Sequence, residues 1–331
     1  MGEETMEWRR WLLVAFCSAV AKAVLGRTDF LRAFCLAIFM MAVRGAVAEP
    51  FPHPALFGTP VGVPGIPSIT ARMTLTPDGL HMVFSHGAVH NLYTADWDDA
   101  LHTWGNITHL TLGSGGGGWE TMPSLSPDGN WLFYEASDGS SWVKLYRSVR
   151  QPDGSWGAGE PVQGAIQVFD READSFFDGY NLYFAHALTP GAAAYLYRSP
   201  YDASTDTFGE PVALSASIND GVYHNRFPTV VGDGQTLLFA RERTANDDIW
   251  IAQRSGDDWG QPQNPNWAIR TDASESGPWY HAATRTVYFV RDGVPMQSTA
   301  AVPEPFSLAF VGSAFVGVVA IRLRTWRKDR Q

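Results

Sequence analysis

Cysteine is almost missing from this 331-residue chain: there are two, Cys17 and Cys35, and both fall in an apolar N-terminal stretch. Beyond that stretch no disulfide framework, cysteine-ligated zinc or thiol nucleophile can be built. Positive charge is scarce in the middle of the chain. Between Glu49 and Ala301 there are 13 Lys+Arg against 28 Asp+Glu, out of 24 and 34 in the whole sequence. So acidic a body argues against nucleic acid and suits cations or neutral polymers. Catalytic signatures are missing too. There is no G-x-S-x-G elbow, and the run "GSGGGG" at 113–118 precedes no G-K-[ST], so it reads as a loop between repeats and not as a phosphate cradle. His224 and His281 each follow a tyrosine but fall at different repeat positions, which makes them packing or surface residues before metal ligands.

Long apolar runs are confined to the two ends. At the N-terminus, Trp11 to Val20 and Ala33 to Val43 are apolar, the second follows Arg27 and Arg32, and Ala46-Val47-Ala48 closes it. Basic, apolar and small-x-small in that order describe a secretory signal, with cleavage expected after Ala48. Its length points to initiation nearer Val24, the alternative being an anchor built on the first run. At the C-terminus the uncharged stretch Phe306–Ile321 reaches the short end of what spans a bilayer. Arg322, Arg324, Arg327, Lys328 and Arg330 follow at once and belong on the cytoplasmic side. Immediately before the helix stand Val302-Pro303-Glu304-Pro305, two prolines fixing an extended segment around one carboxylate.

Taken together, "VPEP", the short helix and the arginine cluster resemble the PEP-CTERM sorting signal. The resemblance implies that exosortase, a membrane enzyme, recognises Pro303, Glu304 and Pro305 and removes the helix at the envelope of a Gram-negative bacterium that makes extracellular polysaccharide. The chain then divides into a leader at 1–48, a body at 49–301 and a sorting signal at 302–331.

The body repeats itself. Segments beginning at Thr70, Glu120, Asp170, Asn225 and Glu275 align without gaps at spacings of 50, 50, 55 and 50 residues. Four carry Asp-Gly at one place, at Asp78-Gly79, Asp128-Gly129, Asp178-Gly179 and Asp233-Gly234, and the fifth has Ala283-Thr284 there. Asp-Gly supplies positive φ for a hairpin, and "LHMVFS", "NWLFYE", "NLYFA", "TLLFA" and "TVYFV" follow as aromatic-rich strands. A third strand recurs as "NLYTA", "KLYRS", "YLYRS" and "DIWIA". A fourth is marked by Trp104-Gly105, Trp156-Gly157, Phe208-Gly209 and Trp259-Gly260. Four strands in about fifty residues predict an all-β propeller, and the motif set resembles the TolB-like, WD40-like (PD40) repeat. The last repeat lacks a fourth strand, whereas "FGTPV" at Phe57 to Val61 precedes the first. Joining the two ends closes five four-stranded blades.

The residues opening each first strand, Thr70, Glu120, Asp170, Asn225 and Glu275, are expected at the channel mouth, flanked by Trp119 and Trp279. They are either a polar ring for a cation such as calcium or for sugar hydroxyls, or side chains that bond backbone between blades. No other cofactor is implied. The expected function is a non-enzymatic binding module for polysaccharide or surface proteins. The alternative is a glycoside hydrolase using two ring carboxylates.

Overall fold

The computed structural model describes residues 50–302 apart from 69, 88–90, 115–118, 138–142, 169–171, 188–192, 232 and 243–245. The leader, the sorting signal and Asp170 therefore lie outside the described residues.

Five antiparallel sheets follow one another along the chain. A short strand β1 (Val61–Gly62) comes first. Blade one holds β2 (Thr70–Leu75), β3 (His81–His86), β4 (Asn91–Asp98) and β5 (Thr103–His109). Blade two holds β6 (Glu120–Leu125), β7 (Trp131–Ser137), β8 (Val143–Val149) and β9 (Glu160–Pro161). Blade three holds β10 (Glu172–Phe177), β11 (Asn181–Ala187) and β12 (Ala194–Asp202), with an outer edge in two pieces, β13 (Thr207–Phe208) and β14 (Val212–Ala213). Blade four holds β15 (His224–Val230), β16 (Thr236–Glu242), β17 (Asp247–Ser255) and β18 (Asp258–Trp259). Blade five holds β19 (Glu275–His281), β20 (Thr286–Arg291) and β21 (Val294–Thr299), and β1 is its fourth strand.

The fold is a five-bladed β-propeller, closed as expected by joining the two ends of the body. Val61 pairs Gln297, Gly62 pairs Met296, and Phe57 bridges Ala300. The second strands are apolar without alternation because blades pack on both of their faces. Met82, Phe84, Leu132, Phe133, Leu182, Phe184, Leu237, Phe239, Val287 and Phe289 are all fully buried. Prolines break the outer edges: a residue without an N–H cannot continue a ladder, so β9 and β14 are two-residue pieces beside "GEPV".

Register departs from the ungapped alignment in blade three. In blades two, four and five the first pair after the inner-strand bulge encloses eight residues, as in Ser124 to Phe133 and Thr229 to Leu238. In blade three that pair encloses six, Phe176 to Tyr183. The glycines take the expected left-handed turns, at φ 71° for Gly79 and 98° for Gly179, and in blade five Arg285 does so at 55°. The shorter turn moves the first strand by two residues, so the partner of Glu120, Asn225 and Glu275 in blade three is Glu172, which pairs His186, and not Asp170.

Candidate functional site

In blades one, two, four and five the residue at the opening position of the inner strand is tied to the segment leading into its own blade. Thr70 is buried, and its hydroxyl donates to the Pro67 carbonyl at 2.7 Å. The Glu120 carboxylate accepts the Leu112 N–H at 2.9 Å, the Ser114 N–H at 3.1 Å and the Ser114 hydroxyl at 2.5 Å. Asn225 donates to the Ile218 carbonyl at 2.9 Å and accepts Arg241 Nε–H at 2.8 Å. Glu275 accepts the Thr271 hydroxyl and, at 2.9 Å, Arg291 Nε–H. Each side chain supplies acceptors or donors to a loop whose own polar groups would otherwise be buried unpaired. Of the flanking tryptophans, Trp119 is half-buried, while Trp279 is 7% exposed and packs on the Phe176 ring with centroids 5.5 Å apart.

A substitution reads out this clamp. Glu120→Gln turns one acceptor oxygen into an NH₂ facing donors from Leu112 and Ser114. The expected loss is about 1–3 kcal/mol of unfolding free energy, measured by urea titration. An unchanged midpoint would mean that the loop does not depend on the carboxylate.

The structure brings together a different set of residues, two positions further into each inner strand. Every first strand carries a bulge at or beside that position: in blade one it falls between Thr70 and Arg72, and in blades two to five it begins at Met122, Asp174, Phe227 and Gly277. Met122, Asp174, Phe227 and Gly277 all have positive φ, between 51° and 59°. For a non-glycine residue that conformation is uncommon, and before proline, as at Met122 and Phe227, it is more restricted still.

Arg72 is completely buried and closes the channel from within. Its Nη1–H donates to the Ser175 carbonyl at 2.9 Å and its Nη2–H to the Pro228 carbonyl at 3.4 Å, so one side chain of blade one holds blades three and four. The guanidinium lies 5.8 Å from the Phe227 ring centroid. Gly277 makes room for the stem: a β-carbon there would sit 3.1 Å from the Ala71 carbonyl and 3.6 Å from Arg72 Cγ.

Charges from three other blades gather around this plug. Glu135 on β7 accepts the Asp174 N–H at 2.6 Å, and Arg226 on β15 pairs with Asp247 on β17 at 2.8 Å. Burial pushes the Arg72 guanidinium down to about 10 against the pull of Asp174 and Glu135. Burial also pushes the Asp174 carboxyl up, although Arg226 and Arg72 oppose it. The same cause raises Asp247, with Arg226 opposing and Glu242 reinforcing. Burial disfavours the Arg226 charge, but Asp174, Asp247 and Glu242 outweigh it and raise Arg226.

Sequence reasoning on the strand-opening residues missed this set. Its signal is a charge inside a strand run, alone for Arg72 in "TARMTL" and Glu135 in "WLFYEAS", and two residues after Glu172 for Asp174 in "EADSFF". The position of Glu135 is held by Ser85, Ala185, Ala240 and Val290 in the other blades.

No family model matches the chain, and neither does any curated protein. Among solved structures, the chain is similar to TolB from Acinetobacter baumannii at 15% identity and a TM-score of 0.42, over 71% of this chain and 55% of that one. It is similar to a gluconolactonase from Xanthomonas campestris at 13% identity and a TM-score of 0.43, over 70% and 72% of the two chains. A luciferin-regenerating enzyme gives 12% identity and a TM-score of 0.45, over 72% and 80%. At that level the likeness carries no chemistry to this chain.

Proposed function

We propose that this chain is an exported protein, sorted by exosortase to the surface or extracellular matrix of a Gram-negative bacterium, whose propeller is a non-enzymatic binding module for polysaccharide or surface proteins. The observation that supports binding over hydrolysis is the engagement of the ring carboxylates. Glycoside hydrolysis needs two carboxyls free to hand a proton to the scissile bond and to attack or activate water. Glu120 and Glu275 are each committed to donors of their own blade. The surface supports an uncharged or cationic partner: among the described residues twelve exposed Asp or Glu face a single exposed basic residue, Arg270. Incubation of the purified chain with a panel of bacterial polysaccharides tests the reading. Retention with the polymer intact is expected, and release of oligosaccharide would overturn it in favour of a carbohydrate-active enzyme.

Sorting has its own test. In this reading Pro303, Glu304 and Pro305 are read by exosortase, while Phe306–Ile321 and the arginines that follow hold the tail in the membrane until cleavage. Replacing the three by alanine is expected to leave export intact and the tail attached. Mass spectrometry of the surface-associated protein reads the C-terminus, and an identical C-terminus with and without the change would remove exosortase from the account.

A further inference from the structure

One face of the ring gathers the same turns from every blade. In a four-stranded antiparallel blade the turn between strands one and two and the turn between strands three and four lie at the same end. Neighbouring blades bring these ends together. A β-carbon on Gly129, in the β6–β7 turn, would meet Pro77 of the β2–β3 turn at 2.8 Å, and His281 Nε2, at the end of β19, lies 3.1 Å from the Pro77 carbonyl oxygen. Arg147 reaches Asp206 in the β12–β13 turn at 2.7 Å, and Arg198 the Asp257 carbonyl in the β17–β18 turn at 2.6 Å. The chain enters and leaves the ring on this face too. The Phe51 N–H donates to Asp233 of the β15–β16 turn at 3.3 Å, and the Ala301 N–H to the Leu56 carbonyl.

Four of the five blades raise an apolar side chain here. Leu80 stands in the β2–β3 turn, Leu101 in the β4–β5 turn, Val149 at the end of β8 and Tyr180 in the β10–β11 turn, and Val302 follows the exit from blade five; all are exposed, Leu101 by 71% and Tyr180 by 79%. The turns do not require them, since Asn130 and Gln235 hold the place of Leu80 and Tyr180 in blades two and four. The opposite face is marked by Val222, exposed in the loop from β14 to β15.

We infer that, before the tail is removed, this face lies on the membrane that holds the tail, with Leu80, Leu101 and Tyr180 among the headgroups of zwitterionic lipid and the opposite face turned outward. The inference rests on the reading of Phe306–Ile321 as a membrane-held tail. Only Val302 to Pro305 separate the ring from that stretch, and four extended residues reach about 14 Å. So short a tether keeps the face at a high effective concentration against the bilayer, where a few apolar side chains suffice that would not hold a free protein. They are separate tips on different blades, which suits insertion into fluid lipid; a protein partner needs a continuous packed core. Charge selects the lipid. Among the described residues seven exposed aspartates, from Asp78 in blade one to Asp257 in blade four, stand on this face with no exposed Lys or Arg, so anionic headgroups repel it.

Single-cysteine labelling of the full-length chain tests the docking. In a Cys17→Ser, Cys35→Ser background a fluorophore is attached at Gln235→Cys, in the blade-four turn of this face, or at Val222→Cys on the other, and the chain is reconstituted in phosphatidylcholine vesicles carrying a headgroup nitroxide. Quenching is expected to be at least twofold stronger for the Gln235→Cys label. It is expected to fall at least twofold when Leu80, Leu101 and Tyr180 are all replaced by serine, and again when phosphatidylglycerol replaces part of the lipid. All three side chains are exposed, so the melting temperature of the triple variant is expected to stay level, which separates lost docking from lost folding. Equal quenching at the two labels, or quenching that survives the triple replacement, would overturn the docking while the chain still floats with the vesicles. Undiminished quenching on phosphatidylglycerol would overturn the zwitterionic assignment. A chain that does not float with the vesicles would remove the membrane-held tail, and the docking with it.

Discussion

Deleting Leu56 to Val61 is expected to abolish cooperative melting of the propeller. The segment supplies the outer edge of blade five. The Gly58 N–H donates to the Thr299 carbonyl at 3.2 Å, the Ala301 N–H to the Leu56 carbonyl at 2.9 Å, and the Ser298 hydroxyl to the Gly58 carbonyl at 2.6 Å. It also carries Phe57, 5% exposed, which meets the edge of Trp267 at 5.6 Å and stacks on Phe51 at 5.4 Å. Removing a buried phenylalanine alone costs about 3–5 kcal/mol, and each lost hydrogen bond adds about 0.5–1.5 kcal/mol. The sum approaches the whole net stability of an ordinary domain, about 5–15 kcal/mol. What remains would present β21 as an open edge, the usual template for chain-to-chain pairing. Calorimetry and size-exclusion chromatography read both effects. An unshifted transition in a monomeric protein would show that the ends do not need to be joined, whereas Phe57→Ala alone is expected to lower melting and keep the protein monomeric.

That closure was legible before any coordinates because a blade with three strands and an orphan strand at the other end of the body leave one economical solution. Blade number was legible for a related reason. Second strands buried on both faces must be apolar throughout, and "LHMVFS" or "TLLFA" advertise it regardless of the turn before them. Register in blade three was not legible, since Asp178-Gly179 matches the other turns in letters while the hairpin it makes is two residues shorter. The site was legible only in outline. Strand-opening polar residues were visible by their recurrence, yet recurrence marks what every blade needs, and Glu120, Asn225 and Glu275 serve their own incoming loops. Arg72, Glu135 and Asp174 escape a search for repetition because each occurs in one blade only. Their meaning depends on the bulges that bring strands from separate blades around one axis, and a bulge leaves no letter in the sequence when its left-handed residue is Met122 or Phe227 instead of glycine.

Replacing Arg72 by methionine is expected to cost about 3–5 kcal/mol at neutral pH, the range for removing one partner of a buried charge pair, and the loss is expected to depend on pH. Methionine keeps most of the stem volume but leaves the Ser175 and Pro228 carbonyls without their donor and Asp174 without one of the two guanidinium groups that oppose its burial. The Asp174 carboxyl already sits above its ordinary value in the folded protein. A carboxyl raised on folding contributes stability that is fully present below its unfolded value, near 4, and that is lost as pH rises through the folded value. Without Arg72 the folded value rises further, so the loss reaches to higher pH. The gap between parent and Arg72→Met is therefore expected to be wider at pH 7 than at pH 5. Adding Asp174→Asn removes the charge that Arg72 opposes. The double variant is expected to be more stable at pH 7 than Arg72→Met alone, and its gap to the Asp174→Asn single variant should no longer depend on pH. Urea titrations of the four proteins at the two pH values decide it. Additive losses that are the same at pH 5 and pH 7 would mean that Arg72 holds the blades through its two carbonyl contacts alone, with no part for the charge of Asp174.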